Sequence, residues 1–362
     1  MIFRYINTAS TAGGDGTTNA TTGANRAFAS LSQAESTLYA TPVSDDLTIL
    51  CCGTAADSIV TIRELTTSVS YTITVEGNPN DVNGLHQGKW STSHYRIEDN
   101  SSGDALSADT TSSSRIVIFK GIQVRQRAAD GDCITFLGTS DGSKALNCLM
   151  WMNDNANNVG VRVTSNGIAN IENCLIQKDT VKTYGHGAYL QSGAMRTLNT
   201  IIRGFRYGVV RDAGTSIVTN CLVFDNNDAD FYGTNTIDYC ASDDDTGTNT
   251  VLISNWDDQF ADASYATSLD YRLSATSDLL GSGIGPTADA NVPSTDIIGT
   301  ARVGATCDVG PFETDHTTYV EHSGVLINPF ALTHTMSSIQ GNSGSFTRRA
   351  RSRTMHYRQR FL

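Results

Sequence analysis

Asn147-Cys-Leu-Met, Asn173-Cys-Leu-Ile, Asn199-Thr-Ile-Ile and Asn220-Cys-Leu-Val are four versions of one phrase, and their spacing decides the fold. The starts lie 26, 26 and 21 residues apart, and Gly121-Ile-Gln-Val sits another 26 upstream. A period in the twenties with one β-rich phrase per period marks a solenoid, in which each repeat buries its apolar side only by stacking on its neighbours. A second phrase keeps step roughly ten residues later: Asp132-Cys-Ile-Thr, Gly160-Val-Arg-Val, Gly187-Ala-Tyr-Leu, Gly208-Val-Val-Arg and Asp230-Phe. Every repeat therefore holds at least two short strands separated by Gly/Asn/Asp turns, with no helical periodicity between them. Equivalent strands would pair one coil apart, about 4.8 Å, giving an all-β, single-stranded parallel β-helix.

The register predicts which side chains face inward. Ile122, Cys148, Cys174, Thr200 and Cys221 form one interior column, and Val124, Met150, Ile176, Ile202 and Val223 form another. The phrase-opening Asn residues belong at the bends, where Asn tolerates left-handed backbone and stacked amides can bond along the axis. Alternation then turns Leu149, Leu175, Ile201 and Leu222 outward, with Trp151 and Phe224 beside them. Such a stripe needs a cover. Two covers are equally compatible with it: a returning C-terminal segment, or the seam of a homotrimer, for which these six residues are the candidate interface.

Lys and Arg number 25 against 37 Asp and Glu, a net charge of −12. From residue 316 onward the chain has six Arg and one Glu, so this tail is at +5 and the remainder at −17. The asymmetry points to a tail that docks on an acidic partner through Arg348, Arg349, Arg351, Arg353, Arg358 and Arg360. Tyr357 and Phe361 among those arginines also suit a nucleic acid, but the acidic body would repel its backbone. No stretch reaches the ~18 apolar residues of a membrane span, and the start lacks the apolar core of a secretory signal. The eight cysteines form no metal-type pairs and several fall in interior columns, so they read as free thiols of a protein made in a reducing cytoplasm. Neither a metal nor a cofactor is expected.

Three segments follow: a capping strand and short helix over 1–44, the β-helix with its closing segment over 45–315, and a basic arm over 316–362. Phe28, Leu31, Ala34 and Leu38 have the spacing of an amphipathic helix that plugs the first coil. Residues 78–114 read as loop-like, with Tyr95-Arg-Ile and nearby Trp90 offering a coil with a long excursion as the other reading.

Asp15-Gly-Thr-Thr with Phe28-Ala-Ser-Leu resembles the opening of right-handed parallel β-helix proteins of the pectate-lyase-like superfamily. Asp270-Tyr-Arg-Leu-Ser, Asp296-Ile-Ile-Gly-Thr-Ala-Arg and Asp308-Val-Gly-Pro-Phe-Glu resemble their ending. The resemblance spans roughly residues 1–315 and implies a right-handed superhelix with three sheets. It leaves function open, because the superfamily contains lyases, hydrolases, adhesins and phage tailspikes. An exterior type of architecture without an export signal fits a bacteriophage virion protein, folded in the host cytoplasm and released by lysis. The expected role is a spike or decoration subunit, anchored to capsid or tail by the arm and contacting host glycans.

The alternatives are a polysaccharide lyase or glycoside hydrolase, and a glycan-binding adhesin without turnover. Hydrolysis needs paired carboxylates about 5–9.5 Å apart. Acidic residues cluster at Asp130 and Asp132, at Asp225, Asp228 and Asp230, and at 243–245, none with a positioned partner evident in the sequence. The Gly185-His-Gly triplet faintly resembles a hydrolase motif. Lys178, His186, Arg203 and Arg206, on neighbouring coils, form the best candidate for holding an acidic sugar.

Overall fold

The computed structural model describes residues 1–314 except 114, 129, 154–156, 180–183, 234, 245, 263 and 269, together with 321–322 and 325–326. Two units are distinguished, Met1–Thr314 and Asp315–Leu362. In the second, Glu321–His322 pairs antiparallel with Val325–Leu326. The six tail arginines lie outside the described residues.

The first unit is a right-handed parallel β-helix. Among the described residues its coil strands form three parallel sheets, and Gly283–Ile284 pairs antiparallel with Thr306–Cys307. Sheet 1 runs through nine strands from Ile2–Asn7 to Thr236–Asp238, sheet 2 through seven from Val60–Ile62 to Ala229–Tyr232, and sheet 3 through nine from Ala56–Asp57 to Val251–Leu252. One coil visits sheets 1, 3 and 2 in turn, as in Ile168–Glu172, Leu175–Lys178 and His186–Leu190.

The repeated phrase is the corner between sheets 1 and 3. Asn147, Asn173, Asn199 and Asn220 all have left-handed φ, between 48° and 54°, and Gly121 holds the same corner one coil earlier at 62°. Left-handed backbone strains most side chains but is open to Gly and tolerated by Asn, which favours those two types here, although Tyr239 holds the corner after Asn220 at φ 53°. Directly after the corner, Ile122, Cys148, Cys174, Thr200 and Cys221 are fully buried, as are Val124, Met150, Ile176, Ile202 and Val223. The register stacks the second set one on another. The Cys148 amide donates to Cys174 Sγ at 3.5 Å, one coil above. All eight cysteines are free and buried.

The helix Leu31–Ala40 closes the N-terminal end, burying Leu31, Ala34 and Leu38. Ser30 caps it by accepting from the Gln33 amide at 3.1 Å, and buried Asp57 accepts from the Leu31 amide at 2.7 Å. Both acceptors satisfy donors that a helix start leaves without partners.

Of the two readings of residues 78–114, the coil holds: Arg96–Asp99 and Leu106–Asp109 pair in register with Gln123–Gln126 and Ile134–Leu137. Their polar composition makes them faint, since only Ile97, Leu106 and Ala108 of these strands face the core.

The outward stripe, moreover, is no subunit seam. Leu149, Leu175, Ile201, Leu222 and Phe224 are at most 2 % exposed and share a second core with Trp256, Phe260, Tyr265, Tyr271, Leu279, Ile297 and Phe312 of the same chain. The segment after residue 252 returns over sheet 3 and covers it. Trp151, at the stripe's edge, packs edge-on to Trp90 at 5.4 Å and lies under Arg125. Corner amides fasten the returning segment: Asn220 Nδ2 donates to the Ile284 carbonyl at 2.8 Å, its Oδ1 accepts from the Ile284 amide at 2.9 Å, and Asn173 donates to the Thr295 carbonyl at 2.8 Å. The Arg302 side chain is fully buried, bonding Glu313 and the carbonyls of Asp308 and Gly310.

Candidate functional site

The four residues grouped from the sequence separate into three environments. Lys178 shares the inward side of its strand with Ile176. It is fully buried, with its ammonium donating to the Tyr184 carbonyl at 2.8 Å and Phe205 5.6 Å away. Arg203 faces the other side of sheet 3 and is buried beneath the returning segment. It lies 5.8 Å from the Phe224 and Tyr265 rings and donates to Asp225 at 2.9 Å. Neither can reach a ligand with its charge.

His186 and Arg206 come together on the outer face of sheet 2. His186 opens the strand His186–Leu190 and pairs in register with Tyr207 of Tyr207–Arg211, which pairs with Ala229–Tyr232. The His186 ring consequently stacks on Tyr207 at 5.7 Å, and the Tyr207 ring meets that of Tyr232, which pairs with Val210, in a tilted contact at 4.6 Å. Tyr189 joins from the same strand, its ring 5.0 Å from the imidazole. Tyr232 is 50 % exposed, so the cluster ends in an open ring.

Charged groups frame these rings in pairs. Arg206 lies 4.8 Å over Tyr207 and donates to Asp228 at 2.6 Å. Arg162 lies 5.4 Å over Tyr189 and grips buried Asp132 with Nε and Nη2, while the Tyr189 hydroxyl donates to Asp212. Burial pushes the His186 imidazole down to about 4, helped by Arg162, Arg206 and Lys178. The ring is neutral at pH 7 and cannot serve as the cation for an acidic sugar. Burial and the bond to Asp212 raise Tyr189 to about 12, so its hydroxyl stays protonated as a donor.

The Gly185-His-Gly triplet has a packing cause. Gly185 turns at φ 81°, and a Cβ on Gly187 would meet Ile202 Cγ2 at 2.1 Å and the Gly208 carbonyl at 2.7 Å. Glycines are needed there to let adjacent coils close, whatever the imidazole does.

The acidic clusters sit apart from this face or are engaged on it. Asp130 is exposed, and Asp132 belongs to Arg162. Asp230 is buried; its carboxylate accepts from Asn226 and from the Asp243 amide, and its own amide donates to Asp244. Burial, with Asp243 and Asp244 nearby, pushes Asp230 up to about 8. Asp245 lies outside the described residues. Among those described, no group of three or more His, Cys, Asp or Glu is arranged to hold a metal ion.

With its carboxylates tied to Arg or Tyr, the face offers stacking surface and fixed polar pairs rather than a free acid and base. Sequence reasoning found His186 and Arg206 and missed Tyr189, Tyr207 and Tyr232. The in-register alignment of His186 with Tyr207 was the available signal, and it does not extend to Tyr232, which pairs with Val210.

No family model matches this sequence, and no curated protein matches it. Among solved structures, the crystal structure of pectate lyase Pel9A is similar, with TM-score 0.39 and 13 % identity over 87 % of this chain and 97 % of that one.

Proposed function

We propose that this chain is a glycan-binding β-helix that meets carbohydrate with the outer face of sheet 2. The observation that carries the reading is the aromatic cluster of His186, Tyr207 and Tyr232, framed by the Arg206–Asp228 and Arg162–Asp132 pairs. Sugar rings stack their C–H faces on aromatic rings and take hydrogen bonds from groups already fixed in place, so little ordering entropy is lost on binding. Tyr207→Ala should weaken retention on a panel of immobilised bacterial surface glycans at least about tenfold, as expected when a central aromatic anchor is truncated. Unchanged retention would remove sheet 2 from the reading.

The setting proposed for this activity is a bacteriophage particle, with the chain as a spike or decoration subunit held by its basic tail. The support is the charge asymmetry, +5 over residues 316–362 against −17 for the remainder. Deleting 316–362 should abolish incorporation into particles, and a truncated protein that still copurifies with virions would refute it.

A depolymerase is the second reading, favoured by one feature: a neutral imidazole at His186, unpartnered at Nδ1, beside two arginines. Incubation with capsular polysaccharides, followed for unsaturated products or new reducing ends, separates the two. Product formation abolished by His186→Gln supports the enzyme, and retention without products supports the binder.

A further inference from the structure

The outer face of sheet 1 carries a groove in two abutting parts, about 540 and 270 Å³, close to the span of ligand pockets at about 300–1,000 Å³. The parts share Asn170 and Arg196. Its floor is a straight column, Lys144–Asn170–Arg196–Ile217, each residue one coil above the last. One wall is residues 286–294 of the returning segment, including Val292.

The groove is lined by the cations Lys144 and Arg196 and by the carboxylates Asp141 and Glu172, with Asp141 in the smaller part. Lys144 is committed to Glu172 at 3.1 Å. Arg196 is exposed and pairs with no carboxylate among the described residues. Its hydrogen bond, from Nη1 to Asn291 Oδ1 at 3.1 Å, fixes the guanidinium and leaves Nε and Nη2 free. Asn291 is itself held by Asp289 at 2.8 Å, so Arg196 is positioned rather than loose. An unpaired, oriented guanidinium in a chain of net −12 is a site for a planar anion.

We propose that this groove binds a carboxylate-bearing oligosaccharide, with Arg196 taking the carboxylate, Asn170 meeting hydroxyls, and Ile217 meeting an apolar sugar face. A peptide is the poorer fit, because the floor strands are hydrogen-bonded on both sides and offer no free edge for strand addition. Nucleic acid would need several unpaired cations. The site is separate from the aromatic cluster, which lies on sheet 2.

Calorimetric titration of the full-length chain tests it with two acidic probes, sialyllactose and triglucuronate, each against its neutral counterpart, lactose or cellotriose. At least one acidic probe should bind at least about tenfold more tightly than its counterpart, and Arg196→Met should lose at least about tenfold for that probe, the scale of one hydrogen-bonded charge contact. Binding of sialyllactose alone identifies a sialic-acid site, and of triglucuronate alone a uronate site. The sheet 2 reading is scored separately, by retention of Tyr207→Ala on the immobilised glycan panel, so failure here is distinguishable from failure of that reading. Absence of binding by both acidic probes, equal binding of the neutral ones, or wild-type affinity in Arg196→Met with an unaltered unfolding midpoint would overturn the proposal.

Discussion

Four corner asparagines with nearly identical backbone have unequal roles, because their amides meet different neighbours. Asn220 clasps the Ile284 backbone with two hydrogen bonds, whereas both amide atoms of Asn199 are buried without partners. An unsatisfied buried amide costs stability, and glycine retains the left-handed corner. Asn199→Gly should therefore be near neutral, while Asn220→Gly should cost about 1–3 kcal/mol from lost hydrogen bonds. Urea unfolding at constant m-value decides it, and an equal or larger loss for Asn199→Gly would contradict the assignment.

Protonation at this scale has opposite signs at two sites. His186 is depressed to about 4, below its unfolded value near 6.5, so its contribution is present above that range and lost as pH falls through about 4. Asp230 is raised to about 8, above its unfolded value near 3.9, so its contribution is full below that value and lost as pH rises through about 8. Asp230→Asn should accordingly flatten the alkaline loss of stability, and His186→Gln the acidic one. Denaturant midpoints measured from pH 4 to 9 would show each slope, and parallel wild-type and variant profiles would refute the corresponding shift.

Among the elements, the returning segment matters most, since it turns the outward side of a solenoid sheet into a second core. Phe224 is its anchor, fully buried, 3.9 Å from Trp256 and 5.9 Å from Phe260. Phe224→Ala should cost about 3–5 kcal/mol and open residues 253–280 to protease. Val82, 85 % exposed, should change stability by less than about 0.5 kcal/mol when replaced by Ala. Limited proteolysis with mass mapping checks the site of opening, and first cleavage elsewhere in Phe224→Ala would mean that another contact holds the segment.

At the level of the whole molecule, the first unit has its own cores and end cap, so residues 1–314 should fold alone with a thermal midpoint within a few degrees of the full chain. Removing the returning segment is a different matter. A chain ending at 252 would expose Leu149, Leu175, Ile201, Leu222 and Phe224 as one apolar stripe, and it should aggregate. Monomeric, soluble behaviour of that truncation in size-exclusion chromatography would mean that the stripe is satisfied another way.

The repeat fixed most of the fold before any coordinates. Interior columns, left-handed corners, the helical plug and free buried thiols follow from spacing and residue type, because stacked coils force equivalent residues into one environment. The coil within 78–114 was legible only at Tyr95-Arg-Ile, its strands being polar outside three core positions. The stripe's cover was undecidable for a physical reason: an apolar face states that it is dry, not what dries it, and only folding brings Trp256 onto Phe224. Site chemistry was the least legible. Lys178 and Arg203 look alike in sequence, yet strand parity sends one into the core and the other under the returning segment, while Tyr207 and Arg196 become site candidates only through what the fold sets beside them.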